Sequence, residues 1–204
     1  NGSIVLARQL IDSAAMAGAD YVKFQTFKAE RLASDKAHKA RYQLEQNDED
    51  DSQLKMLRSL ELNATAHIEL ISYCREKGIG FLSSAFDEES IDLLDQLGVH
   101  FFKVPSGEIT NKPYLEYIAG KGKPVIMSTG MAFMSETKEA FKVLTDGGLN
   151  REDITILHCN TEYPTPVKDV NLKAMLVIRD ELGVSVGYSD HTLGIEVPIA
   201  AVAL

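Results

Sequence analysis

Two lysines stand inside short apolar runs, Lys23 in Tyr21-Val22-Lys23-Phe24-Gln25-Thr26 and Lys103 in Phe102-Lys103-Val104-Pro105-Ser106-Gly107-Glu108. An ammonium buried in a strand is costly unless an anion meets it. Period-two alternation turns Val22 and Phe24 one way and Lys23 and Gln25 the other. It turns Lys103 inward and leaves Ser106 and Glu108 just beyond its strand. Ser83, Ser84, Ser106, Ser128 and Ser189 close their own apolar runs in the same manner. Lysines and hydroxyls gathered at strand ends are the makings of a cradle for phosphate and carboxylate. The plainer reading of either Lys is a structural ion pair, for instance with Glu108. His191, beside Asp190, is a candidate metal ligand or acid/base group, or a structural histidine. His158 lies within a strand and reads as a hydrogen-bonded core residue. His38, His67 and His100 fall in loops or on helix surfaces and carry no signal.

These residues need a scaffold that brings strand ends together. Strands are expected at Tyr21–Gln25, Gly80–Ser83, Phe101–Val104, Pro124–Met127, Ile154–His158 and Val184–Tyr188, mostly apolar as in parallel strands covered on both sides. Helices are expected between them. The first runs from Ser3 to Ala17, with Leu6, Leu10 and Ala14 on its inner stripe. Asn63 caps a second, in which Ile68, Ile71 and Cys74 face inward and Gly78 is the stop. Further helices are expected at Glu88–Leu97, Asn111–Ala119, Ser135–Asp146 and Asn171–Leu182, ended by Gly98, Gly120, Gly147 and Gly183. From the second strand on, strand starts lie about 21, 23, 30 and 30 residues apart, the cadence of successive βα units. The exception is residues 28–51, a long charged connection of the kind that is usually functional or mobile. The pattern fits a (β/α)₈ TIM barrel, incomplete at both ends, with about six of eight strands in a single partial domain over 1–204. Its active site would lie at the C-terminal ends of the strands. The rival, a doubly wound open sheet, lacks a GxGxxG turn after any strand.

Composition narrows the function. The 204 residues are 45% hydrophobic and 25% charged, with a net charge of −9. That sign argues against non-specific nucleic-acid binding, while local Lys clusters still admit an anionic small molecule. No apolar run approaches the roughly 18 residues of a membrane span, so no membrane partner is expected. Cys74 and Cys159 have no zinc spacing and read as free thiols in a cytoplasmic protein. The loop-like start at Asn1 and the apolar finish at Val197 to Leu204 are expected to be cut ends of a longer chain.

Together the motifs resemble the sialic acid synthase family, N-acetylneuraminate synthase and its relatives. The matching stretches are Asn1-Gly2-Ser3, Gly18-Ala19-Asp20 with Val22-Lys23-Phe24-Gln25-Thr26, and Phe81-Leu82-Ser83-Ser84-Ala85-Phe86. They continue with Phe102 to Glu108, Ser128-Thr129-Gly130-Met131, Leu157-His158-Cys159 and Gly187-Tyr188-Ser189-Asp190-His191-Thr192-Leu193-Gly194. The resemblance implies condensation of phosphoenolpyruvate with an N-acetylmannosamine-type aldehyde, aided by a divalent metal, commonly manganese with magnesium as the alternative. By that resemblance Lys23, Ser84, Lys103, Ser106, Ser128 and Ser189 hold phosphoenolpyruvate, joined by Thr161 or its neighbour Asn160. Gln25, Phe86, Glu108 and Tyr163 line the sugar side, and His191 is one metal ligand. Lys23, Lys103 and Glu108 are the candidate catalytic groups.

There are departures from the family pattern. Ser83-Ser84-Ala85-Phe86 keeps a hydroxyl but loses the usual Pro. A Glu-x-Gly-x-Asn-His block on the first strand, a second His ligand on the eighth and a C-terminal antifreeze-like domain are absent. That domain would give an Arg to the partner's site in a swapped homodimer, so the chain by itself is not expected to be a competent enzyme. Three rivals remain at this point. They are a legionaminate or pseudaminate synthase acting on a 2,4-diacetamido sugar, a Schiff-base aldolase using Lys23 or Lys103, and a non-catalytic barrel that only binds sugar or phosphate.

Overall fold

The computed structural model describes residues 2–34, 37 and 52–204. Asn1, His38 and most of the connection expected over 28–51 lie outside the described residues. Two compact units, Asn1–Val99 and His100–Leu204, make up the chain. Among the described residues no helix is long and apolar enough to cross a membrane.

The first unit runs α1 (Ile4–Met16), β1 (Tyr21–Thr26), α2 (Ala29–Leu32), α3 (Gln53–Leu60), α4 (Ala64–Lys77), β2 (Gly80–Ala85) and α5 (Glu88–Gln96). Side-chain oxygens start the helices where the sequence places them. Ser3 accepts from Leu6 N and Asn63 Oδ1 accepts from Ala66 N at 2.9 Å, while Asp87 Oδ1 accepts from Ser90 N at 2.8 Å. Gly78 ends α4 at φ +70°, a left-handed conformation that a Cβ would strain. Strands β1 and β2 pair in parallel, with Tyr21 opposite Gly80 and Thr26 opposite Ala85. Their helix-facing residues Val22, Phe24 and Phe81 pack on Ala7, Ile11, Leu70, Cys74 and Ile79. The rings of Phe24 and Phe81 stack with centroids 5.6 Å apart. Burial pushes the Cys74 thiol up to about 11.

Two expected inner stripes are corrected. Leu6 and Leu10 are 44% and 56% exposed, and Ile68 is 58% exposed. Cys74 is buried and Ala14 packs on the core, as expected. One residue turns a helix by about 100°, and where α1 meets α4 the buried positions are Ala7, Ile11 and Leu70 rather than Leu6, Leu10 and Ile68. Periodicity identified the right helices but only part of each inner stripe. His67, read as a surface residue, is also buried, at 0% exposure. Helix α3 has no counterpart among the helices expected from the sequence and begins just beyond the charged connection over 28–51. Leu54 packs on Ala29 and Ala33, and Arg58 Nε bonds Glu30 Oε1 at 2.8 Å, so the helix forms through tertiary contact.

The second unit runs β3 (Phe102–Val104), a 3₁₀ turn (Ser106–Glu108), α6 (Lys112–Ala119), β4 (Val125–Ser128), α7 (Met134–Asp146), β5 (Ile154–Cys159), α8 (Lys173–Leu182), β6 (Ser185–Ser189) and α9 (Glu196–Val202). The four strands are parallel, in the order β3-β4-β5-β6. Their registers set Lys103 opposite Ile126, Ser128 opposite Leu157 and Cys159 opposite Ser189. The other face carries Phe102, Val104, Val125, Met127, Ile154 and Ile156, each at most 1% exposed beneath the helices. Strands β1, β2, β4, β5 and β6 run one or two residues past their expected ends, β1, β4 and β6 onto Thr26, Ser128 and Ser189, because ladder pairing does not require an apolar side chain.

Truncating Ile11 to Ala is expected to cost about 2–5 kcal/mol. Leu10→Ala should cost under about 1 kcal/mol. Urea unfolding of the two variants in the full-length protein would reveal the order.

Candidate functional site

In the first unit the side chains expected at the site come from the ends of β1 and β2. Lys23 and Gln25 stand on the face opposite Val22 and Phe24, as expected, and both are exposed. Protein atoms nonetheless crowd the Lys23 ammonium, and this desolvation lowers its pKa. Ser84, opposite Gln25 in register, is 2% exposed. Half-buried Phe86 follows; its amide donates to Thr26 O at 3.1 Å and its ring meets Phe27 edge-on.

Ser83 does not join the rim as expected. It lies on the helix-facing side with Phe81, where its Oγ is 2.7 Å from Thr26 Oγ1. Thr26 Oγ1 is in turn 2.7 Å from His67 Nε2. The alternation that puts Ser84 on the site face must put Ser83 on the other.

The second unit brings more of the expected residues together. Lys103 is 8% exposed, and its Nζ donates to Ser128 Oγ at 2.6 Å and to Val104 O at 2.8 Å. Both acceptors are neutral, so they solvate the ammonium without cancelling its charge. Ser106 Oγ accepts from Gly130 N at 2.8 Å and lies 3.4 Å from Cys159 Sγ. Glu108, half-buried on the same 3₁₀ turn, accepts from Asn111 Nδ2 at 2.6 Å.

Gly130 explains how these groups can crowd together. A Cβ there would lie 2.5 Å from Thr161 Cγ2, 2.9 Å from Ser106 Oγ and 3.0 Å from Cys159 Sγ. Only glycine lets the turn after β4 approach the ends of β3 and β5 so closely. Gly130 and Cys159 were quoted as motif letters in the sequence but given no role. The available signal was a Gly two residues beyond a strand end that also carries Ser128.

Between Asn160 and Thr161, the geometry favours Thr161 as the residue facing this cluster. Asn160 is occupied with the turn: its Oδ1 accepts from Glu162 N at 2.7 Å, and its carbonyl lies 2.6 Å from His191 Nδ1. A carbonyl only accepts, so His191 carries its proton on Nδ1 and presents the Nε2 lone pair. That is the orientation a metal-binding imidazole takes when a second-shell carbonyl holds it. Tyr163 packs on the ring with centroids 4.2 Å apart. Asp190 is held by Thr192, whose N and Oγ1 donate to Oδ1 at 3.0 and 2.9 Å. Among the described residues no group of three His, Cys, Asp or Glu side chains is placed to hold a metal ion.

His158 is placed as expected, half-buried on the helix side. Its Nε2 donates to, and lies 2.8 Å from, Val170 O, and its ring leans on Tyr188. His100 is exposed and both cysteines are free, again as read from the sequence.

Gly130→Ala is expected to break the Gly130 N–H to Ser106 bond and displace Thr161, with a stability loss of about 1–3 kcal/mol. A crystal structure of the variant with Ser106 and Thr161 unmoved would contradict this packing.

Over its whole length the chain is 54% identical to the N,N'-diacetyllegionaminic acid synthase of Campylobacter jejuni, of which it covers 61%. It is 46% identical over 206 aligned residues to the N,N'-diacetyllegionaminic acid synthase of Legionella pneumophila, covering 58% of that protein. The chain thus spans about three fifths of the length of these curated relatives. The crystal structure of the N-acetylneuraminic acid (sialic acid) synthetase of Leptospira borgpetersenii, in complex with citrate, superposes with a TM-score of 0.84 at 30% identity. That match covers 99% of this chain and 65% of that one, and bears out the (β/α)₈-barrel class expected from the strand cadence. The signature of the NeuB family extends over residues 10–204, and the chain belongs to that family.

Proposed function

We propose that the protein to which this chain belongs condenses phosphoenolpyruvate with a 2,4-diacetamido sugar aldehyde, giving N,N'-diacetyllegionaminate and phosphate. The observation that carries this reading is the 54% identity, over all 204 residues, to a synthase of that product. The alternative product is N-acetylneuraminate, formed from N-acetylmannosamine, which the sequence motifs alone bring to mind first. The Leptospira synthetase, at 30% identity, supports it less strongly.

In this reading Lys103 and Ser128 form one half of the phosphoenolpyruvate cradle. Ser128 Oγ and Val104 O hold the ammonium in a fixed place, and a positioned cation stabilises the charge of a phosphate. Ser106, beyond the same strand as Lys103, and Thr161 and Ser189, from two further strand ends, add hydroxyl groups. Lys23 and Ser84 are the corresponding residues of the first unit, while Gln25, Phe86, Glu108 and Tyr163 take the sugar. Carbon–carbon bond formation joins C3 of the enol to the aldehyde carbon. Water then adds at C2, and phosphate departs by C–O cleavage with its charge neutralised by Lys and Ser. A divalent metal, manganese or magnesium, would supply Lewis acidity to the aldehyde oxygen, and His191 would hold it through Nε2. A homodimer completes the proposal.

The test is an assay of the full-length protein with phosphoenolpyruvate and manganese, offering the 2,4-diacetamido sugar and N-acetylmannosamine in parallel. Preference for the first is expected; preference for the second would move the assignment to N-acetylneuraminate. Turnover of neither would leave a binding barrel, and borohydride trapping of pyruvate on Lys23 or Lys103 would establish an aldolase. Lys103→Ala is expected to abolish phosphoenolpyruvate binding by calorimetry. His191→Ala should weaken manganese binding while the barrel stays folded, as followed by circular dichroism.

A further inference from the structure

His67 belongs to none of the groups placed at the site, yet it is fully buried and both its ring nitrogens are engaged. Nδ1 lies 2.9 Å from Asn63 O, and Nε2 lies 2.7 Å from Thr26 Oγ1. These partners fix every proton in the chain. Asn63 O can only accept, so Nδ1 carries the hydrogen and Nε2 has only a lone pair. Thr26 must therefore donate its hydroxyl proton to Nε2, which leaves Thr26 Oγ1 to accept from Ser83 Oγ at 2.7 Å. The direction runs from Ser83 to Thr26 to His67 to the carbonyl at the start of α4.

Burial opposes protonation of the ring, as does the charge of Lys28, and its pKa is lowered. Lys28 itself pairs with Glu61 at 2.9 Å, and its amide is held by Asp87 at 3.0 Å. Phe81 meets the imidazole edge-on at 6.1 Å. The neutral tautomer needed by the hydrogen bonds is thus also the one the surroundings favour.

The location of this chain gives it a function. Thr26 directly follows Gln25, and Ser83 directly precedes Ser84. Gln25 and Ser84 are register partners on the site face. We propose that His67 is a positioning residue. Held as the Nδ1–H tautomer, it ties Thr26 to Ser83 behind β1 and β2 and so fixes Gln25 and Ser84 on the front. This rests on the proposed function, in which Ser84 binds phosphoenolpyruvate. The link is mechanical: a strand whose rear side chain is bonded cannot twist its neighbour away from the ligand.

Calorimetry of phosphoenolpyruvate binding to the full-length protein tests it. His67→Leu, which removes the acceptor at Nε2, is expected to weaken binding about tenfold. His67→Gln, whose amide oxygen can still accept from Thr26, should recover most of that loss. The loss from His67→Leu should shrink in a Ser84→Ala background, because His67 acts through Ser84. Unchanged affinity in His67→Leu would overturn the proposal, and so would a Gln variant as weak as the Leu variant or strictly additive effects with Ser84→Ala. Should His67→Leu fail to fold, Thr26→Val breaks the same chain at its middle and is expected to reproduce the tenfold loss. Equal affinity of Thr26→Val and the wild type would then refute the idea. Nitrogen-15 spectra of the imidazole supply an independent check: a proton on Nε2 would be incompatible with the chain. Wild-type protein that binds no phosphoenolpyruvate would instead remove the proposed function, and this positioning role with it.

Discussion

Successive side chains on a β-strand must point to opposite sides, and in both units this constraint divides the labour of every strand. In β3, β4 and β5 the residues turned toward the helices are Phe102, Val104, Val125, Met127, Ile154 and Ile156, all sealed from water. The intervening residues, Lys103, Ser128 and Cys159, are then forced onto the other face. A deletion of one residue in any of these strands would exchange the two sets, burying the ammonium under the helices and exposing the core. The apolar packing and the polar site are in this sense a single arrangement read from two sides.

A charge placed on such a face has to be supported locally. Lys103 shows the minimum form: a hydroxyl from the next strand at 2.6 Å and a main-chain oxygen at 2.8 Å. These two neutral acceptors hold the ammonium in place on the site face of the strand. His191 shows the same economy with a different group. One backbone carbonyl engages its Nδ1 and leaves Nε2 as the other ring nitrogen.

Much of this was legible in the residues themselves. The six strands follow from apolar runs and their spacing, and the cap residues Ser3, Asn63 and Asn111 mark helix starts. Lys103, Ser128 and Ser106 stand out because polar residues at the ends of buried strands have no structural reason to be there. What escaped has a common physical cause: it depends on which neighbour is present in space. Leu6 and Leu10 have the same spacing as a core stripe, and only the partner helix decides against them. Helix α3 is a short amphipathic segment, and the residues it packs on, Ala29, Ala33 and Glu30, come from another part of the chain. His67 looks like any polar residue on a helix until Thr26, from a strand 41 positions earlier, is brought against it. The crowding around Gly130 likewise involves three segments distant in sequence.

That crowding bears on how such a scaffold can change over evolutionary time. At Gly130 the gap between main chain and the surrounding Thr161, Ser106 and Cys159 side chains is already smaller than one methyl group. A turn with no slack resists alteration, since any side chain at Gly130 meets all three neighbours at once. New substrate preferences on this frame would therefore have to be acquired at looser places, such as the exposed stretch around Tyr163, while the turn itself stays as it is.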